Sequence, residues 1–127
     1  MKKIIFFSLL VFAMCSCGTK KSLYDNSFGK DLFECRGNEP YWNIKMEPDV
    51  IVFAQPGAEK LYFPYRDATE EEEGTLVFKT FIQDGNKSTR LKLILTKKEC
   101  SDSMSGESFP FSASAELDGK TFTGCAK

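Results

Sequence analysis

Histidine is absent from this chain of 127 residues. Its absence excludes His-dependent nucleophile triads, the HExxH zinc site and the side chain that ordinarily exchanges protons near neutral pH. Neither sign of charge dominates, since seventeen basic residues face eighteen acidic ones. No basic stripe therefore invites nucleic acid. Long apolar runs are missing too: the stretch from Ile4 to Ala13 is well short of the ~20 residues a spanning helix needs.

What stands at the N-terminus instead is a leader. Lys2 and Lys3 precede a short apolar core, and Met14-Cys15-Ser16-Cys17-Gly18 follows it. This pattern reads as a secretory signal that ends at a lipid attachment site. Ser16 puts a small residue ahead of Cys17, whereas bulky Met14 precedes Cys15, so Cys17 is the expected site of lipidation. Acyl chains contribute about 0.8 kcal/mol per buried methylene. The expected organisation is a lipoprotein signal peptide at 1–16, lipidated Cys17 with a flexible tether at 17–29, and a single all-β domain at 30–127. The expected location is the bacterial cell envelope, with the membrane as a partner through the anchor and the domain facing the periplasm or the cell surface. Without Lys2 and Lys3, fifteen basic residues face eighteen acidic ones, so the mature chain is mildly acidic.

Three cysteines remain beyond the anchor: Cys35, Cys100 and Cys125. In an oxidising compartment two of them should pair. Cys100 with Cys125 is the favoured disulfide, because the segment between them reads as a turn plus a hairpin that returns the chain to its start. Closing such a loop contributes about 3.5 kcal/mol in the chain-entropy picture. Cys35 is then left as a small buried hydrophobe, although its pairing with either of the others stays open.

From Leu32 onwards, short segments alternate apolar and polar residues between turn signals. Strands are expected at Leu32 to Arg36, Tyr41 to Met46, Val50 to Ala54, Lys60 to Tyr65, Thr75 to Ile82, Ser88 to Lys97, Phe109 to Leu117 and Lys120 to Ala126. Pro64 suggests an edge or a bulge. Asp84-Gly85 and Asp118-Gly119 signal hairpins. Glu70 to Glu73 reads as a solvated loop, lacking the ligand spacing of a calcium site. About eight antiparallel strands without a helical period imply a small barrel or a sandwich, since both hide sheet edges. The phenylalanines beyond the leader read as core packing.

Two stretches break the alternation. Gly37 to Trp42 (GNEPYW) sets a carboxylate before a proline and two aromatic rings, and Cys100 to Gly106 (CSDSMSG) is dense in small hydrogen-bonding groups. Turn chemistry accounts for much of both. Loops on a rigid β scaffold are nonetheless where binding groups sit. The candidate binding residues are accordingly Glu39, Trp42, Asp102 and Met104.

Taken in order, GNEPYW, CSDSMSG, Phe109-Pro110-Phe111 and Asp118 to Ala126 (DGKTFTGCA) resemble a family of uncharacterised bacterial envelope lipoproteins. Its members carry GxEPFW near the start and CSDGMS…YP…LDGxxxxGC at the end. The closing motif resembles that of META-type β domains of secreted stress proteins. The likeness spans most of the mature chain and departs at Tyr41, where phenylalanine is common, and at Ser103, where glycine is common. Serine resists the left-handed backbone that glycine allows. The resemblance implies a β fold in the envelope and supplies no reaction.

The leading functional expectation is a non-enzymatic binding or envelope-maintenance lipoprotein. A small apolar ligand in the barrel mouth or another envelope protein are its candidate partners, and no cofactor or metal is called for. The alternatives are a carboxylate-based hydrolase using Glu39 and Asp102, which requires the two carboxyl groups ~5–9.5 Å apart in an open cleft, or an inhibitor of a secreted hydrolase. Metal handling through Met104, Cys35 and nearby carboxylates is a weaker alternative, since the soft ligands lack a repeated spacing.

Overall fold

Residues 32–127 are described by the computed structural model. The expected signal peptide, the expected lipidation site Cys17, the expected tether and the first residues of the expected domain lie outside the described residues. Among the described residues there is no helix, so none is long and apolar enough to cross a membrane.

Alternation produces eleven strands: β1 (Glu34–Gly37), β2 (Trp42–Met46), β3 (Val50–Ala54), β4 (Leu61–Pro64), β5 (Thr69–Glu72), β6 (Thr75–Asp84), β7 (Lys87–Thr96), β8 (Cys100–Ser101), β9 (Ser108–Phe109), β10 (Phe111–Leu117) and β11 (Lys120–Ala126). Nine form one antiparallel sheet in the order β4-β3-β2-β1-β11-β10-β7-β6-β5, and β8 pairs with β9 apart from it. Two meanders are thus joined where the first strand meets the last, with Cys35 opposite Ala126 and Arg36 opposite Cys125.

The sheet curls into a half-barrel. Thr80 Oγ1 on β6 donates to the carbonyl of Pro64 at the end of β4 (2.7 Å), bringing strands from the two halves of the sheet together. Tyr65 and Phe78 meet edge to face across the same seam, with ring centroids 6.3 Å apart. Period two then sends one residue of each pair inward. Trp42, Ile44, Ile51, Phe63, Phe78, Leu93 and Leu95 are fully buried. Ala113 and Ala115 leave room between the larger side chains, as a curled interior requires.

Three differences from the sequence reading have physical causes. The acidic run is not a loop: Thr69–Glu72 is a strand, fully exposed, paired with β6 across an irregular register at Glu71. Its carboxylates suit an edge strand, where charge discourages pairing with another chain. The CSDSMSG region contributes the small β8–β9 hairpin rather than a loop alone. The expected strand from Phe109 is divided at Pro110, which has no N–H to give to a ladder. Phe109 is consequently buried on the outer face, outside the interior cluster it was expected to join.

Candidate functional site

The two irregular motifs come together over the β1–β11 seam. Gly37 ends β1, residues 38–41 form the turn, and Trp42 starts β2. The Glu39–Pro40 peptide is cis and Glu39 has a positive φ of 59°. Trp42 does not project from this turn: it is 1% exposed. Its indole stacks against Phe53 (6.3 Å between centroids) and lies tilted against Phe122 (6.1 Å). Its Nε1 donates to the carbonyl of Thr123 (3.0 Å), which satisfies a buried donor. Gly37 is what admits the ring, since a Cβ there would collide with Trp42 Nε1 and the Thr123 carbonyl. Gly124 has a matching role, because a Cβ would strike the backbone of Arg36.

The segment from Cys100 to Phe109 folds as a flap over the outer face of the same seam. The disulfide between Cys100 and Cys125, with Cα atoms 5.5 Å apart, ties it to β11. Among the described residues Cys35 is the free thiol, buried in the interior. Burial and the neighbouring Glu34 carboxylate both push that thiol far above its ordinary value. Cys100–Cys125 is therefore the pairing among the three, as the return of the chain implied.

Asp102 organises the flap. Its Oδ1 accepts from Met104 N (2.8 Å), Ser105 N (3.2 Å) and Asn38 Nδ2 (3.0 Å). Its Oδ2 lies 3.0 Å from Arg36 Nε, an ion pair in distance, though this N–H is not aligned as a hydrogen bond. Gly106 N donates to the Asp102 carbonyl (2.8 Å), and Asp102 N to Glu107 (2.9 Å). The amides of Met104 and Ser105, then the Asn38 amide and the Arg36 charge, hold the carboxyl below its usual value against the opposing effect of desolvation. The residue of this loop with positive φ is Gly106 (70°), not Ser103, so serine at 103 meets no left-handed strain.

Arg36 is the residue that alternation alone did not single out. It points outward from β1, opposite buried Cys35 in the pleat. Its Nη2 donates to Glu107 Oε2 at 2.7 Å, and its guanidinium lies over the Phe109 ring at 4.7 Å. Lys127 approaches the same ring (5.4 Å) and Glu107 Oε1 (3.5 Å). Arg36 also lines two shallow clefts. One, of about 280 Å³, lies against Asn38, Asp102, Ser103 and Gly124, and the other, of about 250 Å³, against Tyr41, Lys45, Phe109 and Lys127.

The four sequence-predicted residues thus separate into distinct environments. Trp42 is core, and Asp102 is buried and committed to the flap. Glu39 and Met104 are exposed; Met104 is 76% exposed at the flap tip, and nearby Tyr41 is 47% exposed. Cys35 faces the interior while Met104 lies outside, so the soft donors are not brought together. Among the described residues no group of three or more Cys, Asp or Glu side chains is placed to hold a metal ion. Comparison of the chain with protein-family models, curated proteins and solved structures finds no match in any of the three.

Proposed function

We propose that this is a lipid-anchored, non-enzymatic envelope protein that binds a protein partner through the flap and the adjoining Asn38–Tyr41 turn. The observation that carries this reading is that Asp102 is bonded to the flap backbone and paired with Arg36, while Met104 at the flap tip and nearby Tyr41 stay exposed. Exposed apolar side chains fixed on a satisfied polar base have the character of a contact surface. Two further features support it. The interior is filled by side chains such as Trp42, Phe63 and Phe78, which argues for surface contact over an apolar ligand held inside. Asp102 accepts hydrogen bonds from three donors beside a cation, an arrangement for retaining negative charge rather than delivering a proton.

Photoreactive side chains placed singly at Met104, Tyr41 and Tyr62 of the full chain in intact bacteria test this reading. Tyr62, on β4, is 58% exposed and serves as the control. Discrete protein adducts at Met104 and Tyr41, absent at Tyr62 and lost from the Cys17→Ala chain, are expected. Equal labelling at all three positions, or none, would contradict it.

A further inference from the structure

A second feature lies at the far end of the β10–β11 hairpin from the flap. The flap is tied to Cys125 near the open end of that hairpin, and Leu117 faces Lys120 at its turn. Six residue steps separate the two ends, roughly 20 Å along a strand. Beside the turn is a groove of about 790 Å³ whose walls include Arg66, Lys79, Phe81, Arg90, Lys92 and Glu116. That volume is within the range of about 300–1,000 Å³ typical of ligand sites.

The charge arrangement in the groove is unusual for a chain with a slight acidic excess. Lys79 and Lys92 are directly opposite on neighbouring strands, and Phe81 is opposite Arg90. Like charges facing each other across a ladder are destabilising. Only Lys79 has an ion-pair partner among the described residues, Glu71 at 3.2 Å. Glu116 is the register partner of Lys92 but forms no ion pair with it, and Asp118 Oδ1 is occupied by the backbone amide of Arg90 (2.8 Å). Arg66 lies over Phe81 at 5.3 Å, yet the ring remains 45% exposed. The groove therefore holds three cations without a carboxylate partner, next to an open aromatic surface.

We propose that this groove binds an acidic oligosaccharide, a sugar chain bearing carboxylate groups. Arg90 and Lys92 are two residues apart on one face, about 7 Å. Cations spread at that interval match separated anionic groups on a chain better than one phosphate, which favours convergent donors. The exposed part of Phe81 supplies an apolar surface for the C–H face of a sugar ring. This site is independent of the flap and of the partner proposed for it.

The test is calorimetry on the full chain in detergent with three probes: hexagalacturonate, a neutral hexasaccharide of the same length, and inorganic phosphate. Hexagalacturonate is expected to bind, and to bind about tenfold more weakly or worse in Lys92→Glu. Phe81→Ala should weaken it several-fold, and Arg36→Ala, at the flap, should leave it unchanged. Should Lys92→Glu fail to fold, Arg90→Gln takes its place, with an unchanged Tm as the check on folding. The proposal is overturned if hexagalacturonate does not bind, if the neutral sugar or phosphate binds as tightly, or if the groove substitutions have no effect.

Discussion

Asn38 Nδ2 and Asp102 Oδ1 are 3.0 Å apart although 64 positions separate them in the chain. This contact joins the turn after β1 to the part of the flap between β8 and β9, and it makes one unit of two motifs that look unrelated in sequence. Removing either partner should loosen the other. Asp102→Ala is expected to lower Tm by several degrees and Asn38→Ala by less, with the double variant losing less than the sum of the two. Thermal unfolding of the four proteins at neutral pH measures this coupling.

Gly37 and Gly124 make a sharper prediction, because the obstacle to a side chain at each includes backbone. A methyl at Gly124 would meet the carbonyl of Arg36, which cannot move without opening the β1–β11 pairing. Gly124→Ala and Gly37→Ala should each cost about 3 kcal/mol, the upper end for overpacking. Gly57 has open space around it and a φ of 77°, so Gly57→Ala should cost only about 1 kcal/mol in backbone strain. Denaturant unfolding with the disulfide intact separates the two cases.

Much of this architecture was legible in the sequence, and what was not follows from particular residues. Alternation located the strands around Trp42, Leu93 and Ala115, because their pleats bury one face. It missed β5, since four exposed residues carry no periodic signal. It put Phe109 inside because pattern shows burial without showing which side of the sheet is covered, and the flap covers the outer side. Asp102 was legible as chemistry, but its partner Arg36 was not: an outward arginine on a strand reads as solvated until a distant segment folds over it. Trp42 reads as a binding residue from its place beside a turn, because the close approach of Gly37 to the ring is invisible in the sequence.

The Cys100–Cys125 bridge closes a loop with a sequence separation of 25, so its loss should cost about 3.5 kcal/mol. Replacing both cysteines with serine should also speed hydrogen exchange of Met104 and Ser105 amides more than that of β6 and β7. Exchange followed by mass spectrometry reads both regions in one experiment.

Cys35 should behave as an inert thiol. Burial and Glu34 hold it protonated well above neutral pH, and the thiolate is the reactive form. A thiol reagent should therefore label it only as the domain unfolds. Cys35→Ala should be tolerated better than Cys35→Ser, which buries a hydroxyl at a cost of about 1–3 kcal/mol. Labelling rates across a urea series provide the measurement.

Asp102 acts as a charged clamp that fixes the flap and presents its tip. Because its carboxyl is held below the ordinary value of about 3.9, it favours the folded state at pH above that value. That contribution is lost as pH falls through the lower, folded-state value. Titration of the Asp102 carboxyl carbon by NMR, followed together with the amide signals of Met104 and Ser105, tests this most directly. A midpoint below the ordinary aspartate value is expected, with both amides shifting in the same acidic range. A midpoint raised toward neutrality, with the two amides unmoved, would contradict it and return Asp102 to consideration as a proton donor.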